Sequence, residues 1–109
     1  IVEEETNMND EKGNVASVYI NRYRKGMPLG ADPTIKYALR DFSIKRILFG
    51  HLEVKSPYNT YRNKGLPPGP ICTPSKTTID AVLNAPNTNY YFFVAKDDFS
   101  GYHKFSETY

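Results

Sequence analysis

The stretch from Ser56 to Cys72 holds four of the chain's eight prolines and two of its seven glycines. So many fixed φ angles and missing amide donors exclude a helix interior or a central strand. The segment must be a shaped loop, and its prolines lower the entropy lost when it orders. It separates a helical front from a mixed back. With 109 residues in all, one compact domain is expected.

In front of the loop, Ile1–Thr6 reads as the end of a helix whose beginning lies outside the sequence. Asn9 and Asp10 offer an N-cap, and Val15, Val18, Tyr19 and Arg22/Tyr23 recur at helical spacing up to Gly26. This predicts a helix over about 10–25 and a loop from Met27 to Ala31. Asp32-Pro33 pairs a capping acid with a first-turn proline and opens a short helix to about Arg40. Ser43 is expected to cap a turn running to Leu48, and Leu52–Val54 to form a brief strand. Behind the loop, Thr73-Pro74 repeats the cap-plus-proline pattern and predicts a helix to about Asn84, with Ile79, Val82 and Leu83 inward. Tyr90–Ala95 reads as a strand, Asp97–Gly101 as a turn and Tyr102–Phe105 as the hairpin partner. The expected fold class is α+β: N-terminal helices, an irregular proline-rich loop, then a C-terminal helix and β-hairpin.

Composition excludes several functions. Fourteen basic against twelve acidic residues leave a net charge of +2, which gives no electrostatic footprint for nucleic acid. The basic run Asn21–Lys25 falls at a helix C-terminus, where cations are favoured in any case. No apolar run approaches the roughly 18 residues of a membrane span. His51, His103 and the single Cys72 have no ligand-spaced neighbours, so neither a metal site nor a disulfide framework is expected. Cys72 fits a buried structural thiol better than a nucleophile.

Two segments could carry chemistry. Glu3-Glu4-Glu5 has a plain reading as a solvated helix start. At about 100° per residue, however, Glu5 falls between Ile1 and Val2 on the helical wheel, whereas Glu3 and Glu4 fall well away. Glu5 is therefore the acid aimed at the interior. Half-burial raises a carboxyl's pKa and lets it hold a proton near neutrality, as a general acid must. The second segment is Tyr58-Asn59-Thr60-Tyr61, followed by the rigid wall Gly65-Leu66-Pro67-Pro68-Gly69-Pro70-Ile71. A well-packed loop or a polyproline ligand would account for it. Alternating rings, amides and hydroxyls also suit a sugar, whose C–H faces stack and whose hydroxyls hydrogen-bond.

These segments, with Val15–Arg22, Gly26-Met27-Pro28-Leu29, Asp32-Pro33-Thr34, Tyr91–Ala95 and His103-Lys104-Phe105, stand in an order that resembles the MltG-type (YceG-like) endolytic murein transglycosylases. YNTY together with GLPPGPI is the specific part of the match. The resemblance implies a lyase that cuts the MurNAc-β-1,4-GlcNAc bond within peptidoglycan strands and leaves a 1,6-anhydroMurNAc end, with no cofactor. Such enzymes place Thr after the catalytic Glu, which maps to Glu5. By analogy with a Tyr-Asn pair in related transglycosylases, Tyr58, Asn59 and Tyr61 are expected to line the glycan cleft. Thr60, Leu66, Pro67 and Pro68 would shape it, and Asp32, Thr34 and His103 would lie on its border.

The family often has Lys where this chain has Glu4, a negative charge that would push Glu5 further up. The resemblance also implies a single, partial catalytic domain over 1–109, with an N-terminal membrane anchor and a LysM-like region outside this sequence. It implies work at the extracytoplasmic face of the bacterial inner (cytoplasmic) membrane, in the cell envelope, beside peptidoglycan synthases. No nucleic acid is expected as a partner, and the membrane only through that anchor. The alternative is a non-catalytic module that binds peptidoglycan or chito-oligosaccharides.

Overall fold

The computed structural model describes residues 1–40, 47–98 and 100–109. Among these, the order is α1 (Val2–Glu5), a 3₁₀ turn (Asn9–Glu11), α2 (Lys12–Lys25), α3 (Asp32–Leu39), a second 3₁₀ turn (Phe49–Glu53), α4 (Lys76–Leu83), β1 (Phe92–Ala95) and β2 (His103–Ser106). The class is α+β, as expected.

Helix α2 is the axis of the domain. Its stripe Val15, Ala16, Ser17 and Val18 is buried, and α1, α4 and β1 all pack on it. Val2, Val15 and Ala16 form a core cluster closed by Tyr19, Ala85, Phe93 and Phe105. Gly26 stops the helix at φ 77°, a left-handed position that costs glycine no Cβ clash, and its N–H caps the last turn. The two strands pair antiparallel, with Phe93 opposite Phe105 and Ala95 opposite His103.

Polar side chains of α2 tie the front to the back. Asn21 Nδ2 donates to the carbonyls of Thr88 and Tyr90, both at 2.9 Å. Arg22 Nε donates to Tyr91 O at 2.7 Å, and its Nη1 to Pro28 O and Leu29 O. The basic run at this helix end therefore has an internal role: Arg22 joins the approach to β1 to the loop before α3.

Several expectations change. Leu52–Val54 is not a strand: Phe49–Glu53 is a 3₁₀ turn, where His51 Nδ1 accepts from Leu48 N at 3.0 Å. The cap of α4 is Ser75, two residues beyond Thr73, and its hydroxyl accepts from Thr78 N. Ile79, Val82 and Leu83 are not inward. They are 45%, 36% and 78% exposed, because the polar side of α4 faces α2 through Thr78, which accepts from the buried Lys12 Nζ at 2.7 Å. Asp32 is the first residue of α3 and not its cap; Ala31 holds the cap position. The turn expected from Ser43 to Leu48 begins in 41–46, outside the described residues.

Candidate active site

Helix α1 ends at Glu5 because Thr6 turns extended (φ −149°). Its hydroxyl accepts from Met8 N at 3.1 Å and donates to Glu11. Val2 is buried beside α2, and the helical repeat brings Glu5 to the same side, half-buried, with Glu4 exposed. Glu5 opens into a cavity of about 510 Å³ that it shares with Glu4, Thr6, Ala95, Tyr102 and His103.

Four other elements act on the Glu5 carboxyl. Tyr19 acts on it from the middle of α2. Asp32 acts from the start of α3 and His103 from the start of β2. Tyr61, from the proline loop, feels the charge of Glu5 in turn. Burial is the largest influence and pushes Glu5 from 4.5 up to about 7. The Tyr19 hydroxyl and the His103 charge oppose that rise, and the like charge of Asp32 adds to it. The like charge is that of Asp32 across the site and not, as the sequence suggested, that of Glu4, which is exposed. The Tyr19 hydroxyl is itself pushed well above its ordinary range, chiefly by burial and then by Glu5, so it stays a donor. The Tyr61 hydroxyl donates to Asp32, and burial together with that bond raises its pKa as well.

These opposing influences give a two-signed prediction. Tyr19→Phe removes a donor to the carboxylate and should raise the Glu5 titration midpoint above about 7. Asp32→Asn removes the like charge and should lower it. The ¹³C shift of the Glu5 carboxyl, followed against pH in each variant, checks both; movement in the same direction would contradict this account of the site.

The structure sorts the remaining residues singled out in the sequence. Tyr61 joins the site; Tyr58 does not, and packs on Tyr37 with ring centroids 4.7 Å apart. Asn59, Thr60 and Thr34 are 0%, 1% and 0% exposed, so a glycan cannot touch them. They organise the loop instead. Asn59 Nδ2 donates to Leu52 O (3.0 Å) and Val54 O (2.8 Å), and its Oδ1 accepts from Tyr61 N (2.9 Å). Thr60 Oγ1 accepts from Ala31 N at 2.9 Å and lies 2.8 Å from Thr34 Oγ1, while Thr34 donates to Ala31 O. This buried lattice fixes Tyr61 and Asp32 in relation to each other.

Leu66 and Pro67 line a different concavity, an apolar groove of about 720 Å³ between α2, α4 and the loop. Pro68 lines neither. Cys72 sits in the wall of that same groove, half-buried, with its thiol pushed up by burial.

Two contributors were missed in the sequence. Tyr19 stands in the helical repeat of α2, and a tyrosine turned inward needs a partner for its hydroxyl; the acid aimed at the interior, Glu5, is the signal that pointed to it. Glu11, which follows the capping residues Asn9 and Asp10, is 5% exposed and holds His103. Nothing in its sequence position signals that burial.

A half-buried acid held near neutrality, flanked by a fixed hydroxyl, a second carboxylate and an imidazole, defines a site able to give and recover a proton in a cleft. The chain matches the YceG-like family over residues 1–109 and belongs to it. It is 42% identical over 98 residues to the endolytic murein transglycosylase of Bacillus subtilis (strain 168), spanning 90% of this chain and 27% of that protein. It is 32% identical over 99 residues to the endolytic murein transglycosylase of Streptococcus pneumoniae (strain D39), spanning 87% of this chain and 18% of that protein. The 2.6 Å crystal structure of a yceG-like protein from Listeria monocytogenes superposes with a TM-score of 0.91 at 40% identity, covering 98% of this chain and 34% of that one. The chain therefore spans about a quarter of the curated relatives or less.

Proposed function

We propose that this domain cleaves murein glycan strands as an endolytic transglycosylase, with Glu5 as the one group that gives and then takes back a proton. The observation that carries the proposal is the Glu5 carboxyl, half-buried at the edge of a cavity and raised to about 7. The protonated acid donates to the glycosidic oxygen between MurNAc and GlcNAc, and the C1–O bond breaks. The N-acetyl oxygen of the substrate stabilises C1 from within. Glu5, now a carboxylate, removes the proton of the muramyl O6 hydroxyl as O6 bonds to C1, and a 1,6-anhydro end results. Water adds nowhere, and the acid returns to its starting state.

The sequence showed no partner acid, and Asp32 changes that. Hydrolytic glycosidases use two carboxyl groups about 5–9.5 Å apart. Asp32, however, accepts the Tyr61 hydroxyl and is engaged within the protein. In this reading it acts by charge, holding Glu5 protonated until the leaving oxygen takes the proton. Tyr61 is the loop residue best placed to meet the sugar. On the same reading the domain works in the cell envelope, outside the inner membrane, near the enzymes that synthesise peptidoglycan.

Purified glycan strands incubated with the domain should yield anhydro-ended products by mass spectrometry. Reducing ends would overturn the lyase chemistry and make Asp32 the base that activates water. Saturable strand binding without new ends would reduce the domain to a carbohydrate-binding module.

A further inference from the structure

Glu11 is an ionisable side chain almost wholly removed from water, and the scheme above does not use it. Its carboxylate is hydrogen-bonded from two sides. Oε2 accepts the Thr6 hydroxyl at 2.8 Å and lies 2.5 Å from His103 Nδ1, and Oε1 accepts the backbone N–H of His103 at 2.9 Å. Thr6 follows Glu5 in the chain, and His103 opens β2 on the far side of the cavity. One carboxylate thus clamps together the two segments that frame the cavity.

The clamp also sets the state of the imidazole. A carboxylate can only accept, so Nδ1 of His103 carries its proton, and Nε2 is the position left for the cavity. Phe93 stands edge-on to the ring at 5.2 Å and limits its rotation. The groups that act on Glu5 are Tyr19 from α2, Asp32 from α3, His103 from β2 and the amino group of Ile1 on its own element, with Tyr61 coupled from the loop. Of the side chains among these, His103 alone can bear a positive charge.

We propose that Glu11 is a positioning residue for the proton-transferring acid: it holds the His103 ring by its Nδ1–H, in an orientation and beside a carboxylate that let the imidazole bear a positive charge and support the carboxylate form of Glu5 between its two proton transfers. His103 accepts no proton from the substrate in this scheme. It balances the burial and the Asp32 charge that favour the protonated acid, so that Glu5 is able to ionise as the glycosidic bond breaks. The proposal rests on Glu5 acting as donor and acceptor.

Glu11→Gln tests it sharply. The His103 backbone N–H requires an oxygen at the Oε1 position, so the amide nitrogen of Gln falls at the Oε2 position and donates to Nδ1. Nδ1 must then stay unprotonated, so the ring carries a single proton on Nε2 and cannot bear a positive charge. In the full chain, ¹⁵N shifts of the His103 ring should report a protonated Nδ1 that becomes unprotonated in Glu11→Gln. The ¹³C midpoint of Glu5 should rise in Glu11→Gln and in His103→Gln. With purified glycan strands, kcat at neutral pH should fall about 10- to 100-fold in both variants, the scale of one lost charge-assisted hydrogen bond, with KM unchanged.

An Nδ1 that stays protonated in Glu11→Gln would overturn the proposal, as would loss of that proton with the Glu5 midpoint and kcat left where they were. If the unmodified chain cleaves no strands, the lytic reading fails by itself. The Nδ1 proton and the Glu5 midpoint then still decide whether Glu11 and His103 govern this acid. His103→Gln, which leaves Glu11 with its bonds to Thr6 and the backbone, covers the case in which Glu11→Gln does not fold.

Discussion

Replacing Glu5 by Gln should abolish strand cleavage and, at the same time, make the domain more stable in alkaline solution. General acid–base groups typically contribute about 10²–10⁴-fold, and a single group serving both steps should lie at the upper end. The stability gain follows from linkage. Glu5 titrates at about 7 in the fold against 4.5 for an ordinary glutamate, so the fold disfavours its charged form. Below pH 4.5 the acid is protonated in both states and nothing is lost. As pH rises through about 7 the folded chain must ionise a half-buried group, and about 3 kcal/mol of stability is lost. Gln has no such titration. Urea midpoints at pH 5 and pH 9 should therefore separate in the native chain, and the variant should lack the part due to this acid. A Glu5→Gln variant that cleaves strands normally would end the assignment. One with the same pH dependence of stability as the native chain would show that Glu5 is not held near neutrality. Stability yielded at a functional acid is the usual trade-off at such sites.

The second large effect is expected at Asn59, where the sequence pointed to a sugar contact and the fold points to architecture. Asn59→Ala removes three hydrogen bonds, to Leu52 O, Val54 O and Tyr61 N, from a fully buried position. Polar groups left without partners cost about 1–3 kcal/mol each when fully buried. Leu52 and Val54 are partly solvated, so a total near 3 kcal/mol is expected. That is a large share of the roughly 5–15 kcal/mol that stabilises a domain. The urea midpoint should fall with its slope unchanged. Glycan KM, measured on the folded fraction, should stay near the native value. A raised KM with an unchanged midpoint would make Asn59 a contact residue after all.

Local pattern carried a good deal of this. The interior aim of Glu5 needed only the helical repeat and two apolar neighbours. Gly26 as a helix stop, the α3 start near Asp32-Pro33 and the antiparallel hairpin needed only turn and strand chemistry. Where local pattern failed, an unseen partner decided. Ile79, Val82 and Leu83 recur at helical spacing, yet α4 turns Thr78 inward because the buried Lys12 ammonium on α2 needs an acceptor. YNTY has the residue types of a sugar site. Its central pair is buried because the backbone after α2 and around 52–54 needs side-chain partners that the proline-rich loop cannot offer from its own amides.

The sequence by itself determined which acid of the Glu3-Glu4-Glu5 run is aimed at the catalytic cavity, where α2 stops and what kind of loop divides the chain, since each depends on residues a few positions apart. Only the tertiary structure decided that Tyr19, Asp32, Tyr61 and His103 meet that acid and that Glu11 holds the histidine. Those residues lie on separate elements, and electrostatic coupling depends on distance in space, which the one-dimensional order of the chain does not carry.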